Sequence, residues 1–210
     1  MNPVYFLASF VPFFIVLMIA MSVHEFAHGW VAFKLGDNTA KIMGRLTLNP
    51  LAHIDPFGTV VLPLLIFIAS GGHFIFGAAK PVPINYHSLS NPKKDMIWIG
   101  LSGPSANILL AVATSVLLPF VANLLPALTS IMGTFILINV VLGVFNLVPI
   151  PPLDGSRVLM GLLPDDLASG YAKIEPFGFF IIMLLAVSGI LGAFIWPAVI
   201  LILNILGIKS

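Results

Sequence analysis

His24-Glu25-Phe26-Ala27-His28 grows directly out of an apolar run, Val4 to Met21, and this junction decides how the chain is read. The run is membrane-like in composition, and the five residues that follow spell H-E-x-x-H. Two histidines four apart lie on one face of a helix, so both reach one metal ion. The Glu beside the first His points at a water on that metal and can act as its base. Ionisable side chains on a membrane helix are costly and usually functional.

Composition agrees with a membrane setting. The 210 residues are 59% hydrophobic and 8% charged, with mean hydropathy +1.10, against about 25% charged in a soluble domain. Too little polar surface exists to cover a soluble core, so the chain reads as a polytopic membrane protein in a lipid bilayer. A net charge of +1 offers no electrostatic case for nucleic acid. Cysteine is absent, which excludes disulfides and thiolate zinc sites and leaves His and carboxylate as metal ligands. The first apolar run lacks a positive n-region and continues into the motif, so it reads as a retained helix rather than a signal peptide.

Working outward, the first helix is expected from about Val4 to Leu35, stopped by Gly36-Asp37-Asn38. Thr39 to Pro50 partly alternates around Ile42, Leu46 and Leu48 and predicts short strands. Gly58 to Ala69 is apolar but only about a dozen residues long, below the roughly 17 needed to span. Ala79-Lys80-Pro81-Val82-Pro83-Ile84-Asn85 is expected to be extended, because its alternate prolines suit neither a helix nor a central strand. Further spans are expected from Lys93 to about Val121, Leu128 to Phe145, Ile174 to Val187 and Leu191 to Leu206. A Pro-rich break, Asn146 to Gly155, and a short amphipathic piece to Leu163 intervene. The expected fold class is an all-α polytopic membrane protein. It has about five full transmembrane helices, a short re-entrant segment and small β elements near the active site. It reads as one domain over 1–210, with a catalytic core at about 4–163 and a C-terminal helix pair at about 172–208.

Charge sets the orientation. The basic residues are Lys34, Lys41, Arg45, Lys80, Lys93, Lys94, Arg157, Lys173 and Lys209. The loops near Asn123–Pro126 and Ser188–Gly189 carry no charge. With those loops and the N-terminus outside, every basic residue faces the cytoplasm, as the positive-inside rule asks. This requires Gly58–Ala69 to dip in and return, which is tolerated where protein or a wet cavity shields its backbone.

A catalytic zinc site uses three protein ligands and an open position for water. His24 and His28 supply two. The third candidate is Asp154, in Asn146-Leu147-Val148-Pro149-Ile150-Pro151-Pro152-Leu153-Asp154-Gly155. Two crossings after the first helix ends inside, Asp154 is inside again. A second reading makes Asp154 the N-cap of the following short helix; the two roles are compatible.

Together these residues resemble the site-2 protease family of intramembrane zinc metalloproteases. His24-Glu25-Phe26-Ala27-His28 is similar to the family's H-E-x-x-H, and Asn146 through Gly155 to its Asn-Pro-Asp-Gly pattern. Ser102-Gly103-Pro104-Ser105-Ala106-Asn107 is similar to its G-P-x-x-N segment. Asn49 to Pro56 and Ala79 to Pro83 further resemble the compact prokaryotic branch, which lacks PDZ and CBS domains. The resemblance implies zinc, one ion per chain, and cleavage of a membrane-embedded helix of a protein substrate. It also implies an active site within the cell membrane, in a multi-pass protein, opening to the cytoplasmic side.

On this reading zinc is held by His24, His28 and Asp154, and Glu25 is the base. Asn146 either donates to the substrate backbone or developing oxyanion, as proposed in the family it resembles, or caps its span. Asn107 fixes helix packing, with Gly103 allowing close approach of backbones. His53, in a Pro-flanked loop, either serves the site as an accessory group or is an interfacial residue. His73 and His87 are assigned nothing. Ala79–Asn85 either holds an unwound substrate strand, with Val82 and Ile84 as binding residues, or is a surface connector. Two other classes compete. A metal transporter needs ligands spread along several spans, whereas these cluster at one depth. A catalytically silent scaffold has no use for all four reacting groups.

Overall fold

Pro3–Lys34 forms one 32-residue helix, α1, in a computed structural model that describes residues 3–61, 65, 68 and 79–208. A four-residue helix, α2 (Thr39–Ile42), follows, then a 3₁₀ turn at Pro50–His53 and a π-helical turn at Pro56–Val61. The expected re-entrant piece Gly58–Ala69 lies largely outside the described residues, as does His73. The chain resumes in the extended stretch leading to a 3₁₀ turn at Tyr86–Ser88. Helix α3 spans Pro92–Leu124, opening on Pro as helices favour, with Asn91 N–H bonded to Asp95 Oδ2 at 2.9 Å. Helix α4 is Thr129–Asn146. After the Pro-rich break come α5 (Asp154–Leu162), α6 (Asp165–Ala172), α7 (Gly178–Val187) and α8 (Ile190–Ile205).

The chain is a multi-pass, all-α membrane protein by the length and character of these helices. Val11–Lys34, Pro92–Leu124, Pro126–Asn146 and Asp165–Val187 are long and apolar enough to cross a bilayer. Helix α8 is apolar but 16 residues long, about 24 Å of rise against a hydrocarbon core of about 30 Å. The described residues thus hold four helices of spanning length where about five were expected.

The small β elements are corrected: no strand occurs among the described residues. At Thr39 the Asp37 carboxylate accepts the Thr39 N–H at 2.9 Å, which starts a helical turn. Gly44, at φ +65°, then turns the chain. Among the described residues the stretch 79–85 pairs with no strand: Pro81 and Pro83 bring no N–H, and the Lys80, Val82 and Asn85 N–H groups bond elsewhere.

Helix α3 is the hub, packing on α1, α4 and α5. The main apolar cluster joins Ala111 of α3, Ile136 and Val140 of α4, Ile182 of α7, and Leu191, Ile195, Val199 and Leu203 of α8. Val16 and Ala20 of α1 pack on Ile138 of α4. Outward, Leu109, Val116, Phe120, Phe180, Leu184 and Phe194 are exposed, a surface that lipid rather than water solvates. Polar pairs gather at one end: Lys93 Nζ meets Asp165 Oδ1 at 2.6 Å, and Arg157 pairs with Glu175.

Candidate active site

Helix α1 presents His24 and His28 on the face turned to α3, both over nine-tenths buried. Their Nε2 atoms are 3.0 Å apart. The Asp154 carboxylate enters from the start of α5, with Oδ2 3.0 Å from His24 Nε2 and Oδ1 3.2 Å from His28 Nε2. Local chemistry puts it there. Pro149, Pro151 and Pro152 prevent α4 from continuing, and Gly155 packs so tightly on the Leu147 carbonyl that no side chain fits. The capping reading of Asp154 is corrected: it begins α5 as a helical residue, Leu153 holds the cap position, and no side-chain cap bond forms. Among the described residues, His24, His28 and Asp154 form the one group of such side chains close enough to hold a metal, their ligand atoms within 4.8 Å of one another.

The donor set fits a cation. His28 Nδ1 lies 2.7 Å from the Ile99 carbonyl, which can only accept, so Nδ1 carries a proton and Nε2 is the atom whose lone pair the neutral ring offers to a metal. That lone pair faces a second imidazole nitrogen and a carboxylate, an arrangement of acceptors that a positive ion resolves. Asp154 Oδ2 is buried and accepts no hydrogen bond. Gly103 of α3 keeps the space before the nitrogens clear, since a β-carbon there would reach 2.6 Å from His24 Nε2 and closer still to His28 Nε2. Two imidazoles and one carboxylate, without thiolate, suit a catalytic zinc site with an open position.

Glu25 stands beside this group but outside it. Its Oε2 accepts the backbone N–H of Val82 at 2.7 Å, a contact that joins the candidate base to the extended stretch. That stretch is anchored along its length. Lys80 N–H bonds the His53 carbonyl at 2.9 Å. Arg45 Nη2 donates to the Lys80 carbonyl at 2.8 Å, and Asn85 N–H bonds Asp37 Oδ2 at 2.7 Å. A cleft of about 890 Å³ is lined by His24, Glu25, His28 and Asp154 together with Val82, Ile84, Asn146 and Phe179.

The remaining sequence-predicted residues separate. Asn146 lines the cleft and donates Nδ2 to Leu142 O of its own helix at 3.0 Å. His53 is fully buried and is not part of the metal group; its Nε2 lies 2.9 Å from the Thr47 carbonyl, which braces its loop. Asn107 packs between helices as expected and also places Oδ1 2.6 Å from His24 Nδ1. Sequence reasoning assigned no site role to Asn139, whose Oδ1 accepts from Asn107, to Ser102, whose Oγ lies 3.2 Å from His28 Nδ1, or to Arg45. The signal for Asn139 was present, a lone amide in the apolar stretch Phe135–Val144.

The sequence profile of peptidase family M50 matches residues 12–126 and 122–189. The chain is 35% identical over 202 residues to the Bacillus subtilis protein named "Putative zinc metalloprotease YwhC", covering 92% of this chain and 88% of the relative. A Mycolicibacterium smegmatis protein named in the same terms, Rip2, is 29% identical over 92% of this chain and 73% of its own length. "Zinc metalloprotease MJ0392" of Methanocaldococcus jannaschii is 27% identical over 76% of this chain and 36% of its own length. No solved structure matches.

Proposed function

This chain belongs to peptidase family M50, the site-2 protease family, and is a zinc metalloprotease; from that premise we propose that it is an intramembrane endopeptidase cutting transmembrane segments of membrane proteins. One observation carries the reading. The His24–His28–Asp154 group is enclosed by α1 and α3, both of spanning length, rather than displayed on a polar surface. A substrate that reaches it comes from the bilayer.

His24, His28 and Asp154 are the proposed zinc ligands. Zinc, when bound, supplies a Lewis acid that activates water and polarises the scissile carbonyl. Glu25 takes the proton from the attacking water and delivers it to the leaving amine nitrogen. Val82 N–H engages Oε2 of Glu25, which leaves Oε1 to receive that proton. Asn146 spends one amide hydrogen on Leu142 O; the second is available to the developing oxyanion, where such a donor contributes about 3 kcal/mol.

The substrate helix must unwind, because a helical carbonyl is both bonded and shielded. Its freed backbone groups need partners, each unpaired one costing several kcal/mol in a dry site. The stretch at Val82 and Ile84 is the proposed partner by strand addition; with the Val82 N–H engaged by Glu25, the groups it offers are the Val82 and Ile84 carbonyls and the Ile84 N–H. The polar end of the bundle, with Lys93–Asp165 and Arg157–Glu175, is assigned to the cytoplasm of a cell-membrane protein, and the cleft opens to that side.

The test is cleavage of a transmembrane substrate by the purified protein in proteoliposomes, with Glu25→Gln as control and mass-spectrometric mapping of the cut. Cleavage confined to water-exposed flanks would leave a metalloprotease but not an intramembrane one.

A further inference from the structure

We propose that Asn139 of α4 is a positioning residue of the zinc centre, acting through Asn107 to fix the ring tautomer of His24. The inference rests on His24 being a zinc ligand.

Three side chains form an unbroken buried line. His24 Nδ1 is 2.6 Å from Asn107 Oδ1. Asn107 Nδ2 donates to Asn139 Oδ1 at 2.8 Å and to the Ala20 carbonyl at 3.2 Å. Asn139 Nδ2 donates to the Phe135 carbonyl at 2.9 Å. Asn107 and Asn139 have no solvent exposure, so water cannot substitute for a missing partner.

The sense of this line is forced from its far end. A backbone carbonyl accepts and cannot donate. Phe135 O therefore takes the NH₂ side of Asn139, which turns Oδ1 of Asn139 toward Asn107. That oxygen and Ala20 O, both acceptors, together take the two hydrogens of Asn107 Nδ2. Asn107 can then offer His24 only its oxygen, so the His24 ring must carry its proton on Nδ1. In the neutral ring the lone pair is then left on Nε2, the atom that faces Asp154. His28 reaches the same tautomer directly through Ile99 O; His24 needs two amides because Asn107, unlike a carbonyl, can turn over. Asn139 makes the turned-over state unfavourable.

Removing Asn139 weakens this discrimination. In Asn139→Leu, Asn107 loses one of its two acceptors. Its flipped form presents NH₂ to His24 Nδ1 and moves the ring proton to Nε2, which blocks the ligand atom. Changes in groups that orient metal ligands cost about 10- to 100-fold in metal affinity, and with one of two acceptors retained we expect about tenfold. Asn139→Asp is the conservative variant. Buried in apolar surroundings, its carboxyl is held neutral, donates to Phe135 O and accepts from Asn107, and so restores near-native affinity.

Two measurements test this. Nitrogen NMR of histidine-ring-labelled, zinc-free protein reads the tautomers, with His24 assigned by its loss in His24→Ala. Zinc affinity is read by chelator competition. The expected result is Nδ1–H at His24 in the native protein, a mixture and about tenfold weaker zinc binding in Asn139→Leu, and recovery in Asn139→Asp. Native protein with Nε2–H at His24 overturns the proposal even if the Leu variant does not fold, and so does a folded Leu variant with native zinc affinity and ring shifts. Undiminished zinc binding in His24→Ala would instead remove the ligand reading on which the proposal stands.

Discussion

Gly103 faces His24 so closely that a β-carbon at 103 would lie 2.6 Å from the ligand nitrogen Nε2. The space in front of the two proposed ligand nitrogens is thus kept clear by a missing side chain on a neighbouring helix. Gly103→Ala should lower zinc content at least about tenfold, by displacing the ligand rings, and activity should fall with it. Helical circular dichroism should be unchanged. Zinc per chain by plasma mass spectrometry decides; full occupancy would mean that the rings have room elsewhere.

Glu25→Gln should abolish detectable cleavage, a loss of about 100- to 10,000-fold, while zinc stays bound. Gln retains an oxygen for the Val82 N–H and loses only the capacity to take a proton. Loss of zinc in this variant would place Glu25 among the ligands.

His24→Ala, His28→Ala and Asp154→Asn should each lose zinc and activity together. Asp154→Asn is informative because no cap bond is at stake, leaving the metal as the role to be weakened. Chelator treatment of the native protein should abolish cleavage, and added zinc should restore it.

Val82→Pro removes the N–H that engages Glu25. A hydrogen bond to a charged group contributes about 1.5–3 kcal/mol, so kcat should drop about 10- to 100-fold with zinc content unchanged. Cysteine pairs between Val82 or Ile84 and substrate positions near the cut should crosslink in the Glu25→Gln protein. Absence of those crosslinks, while others near His24 form, would reduce the stretch to a connector.

Single cysteines near Pro126 and Gly189 should react with an impermeant reagent from outside the cell, and one at Ser90 only from inside. External labelling at Ser90 would invert the orientation proposed for the cleft.

The grouping of His24, His28 and Asp154 was readable in advance because each of the three stands out in the sequence. His24 and His28 are tied by helical spacing, and Asp154 stands where prolines end a span. The long helices were readable from apolar length alone. What escaped depends on contacts between distant residues. The strands expected at Thr39–Pro50 followed from the alternation of Ile42, Leu46 and Leu48, but Asp37 and Gly44 override that pattern locally. Nothing in the spacing of Asn107 and Asn139, 32 residues apart, shows that their amides meet.

The asparagine line also bears on how the helices find one another. In hydrocarbon, helices associate through van der Waals packing and interhelical hydrogen bonds rather than through a hydrophobic driving force. A slip of one turn, about 5.4 Å, would part Asn107 from Asn139 and from Ala20 O, leaving amide groups unpaired at a cost of several kcal/mol each. The amides therefore act as a vertical register mark for α1, α3 and α4, selecting one relative height among many of similar packing. Because His24 is part of that mark, the helix that carries the proposed ligands takes its register from the same contacts that assemble the bundle.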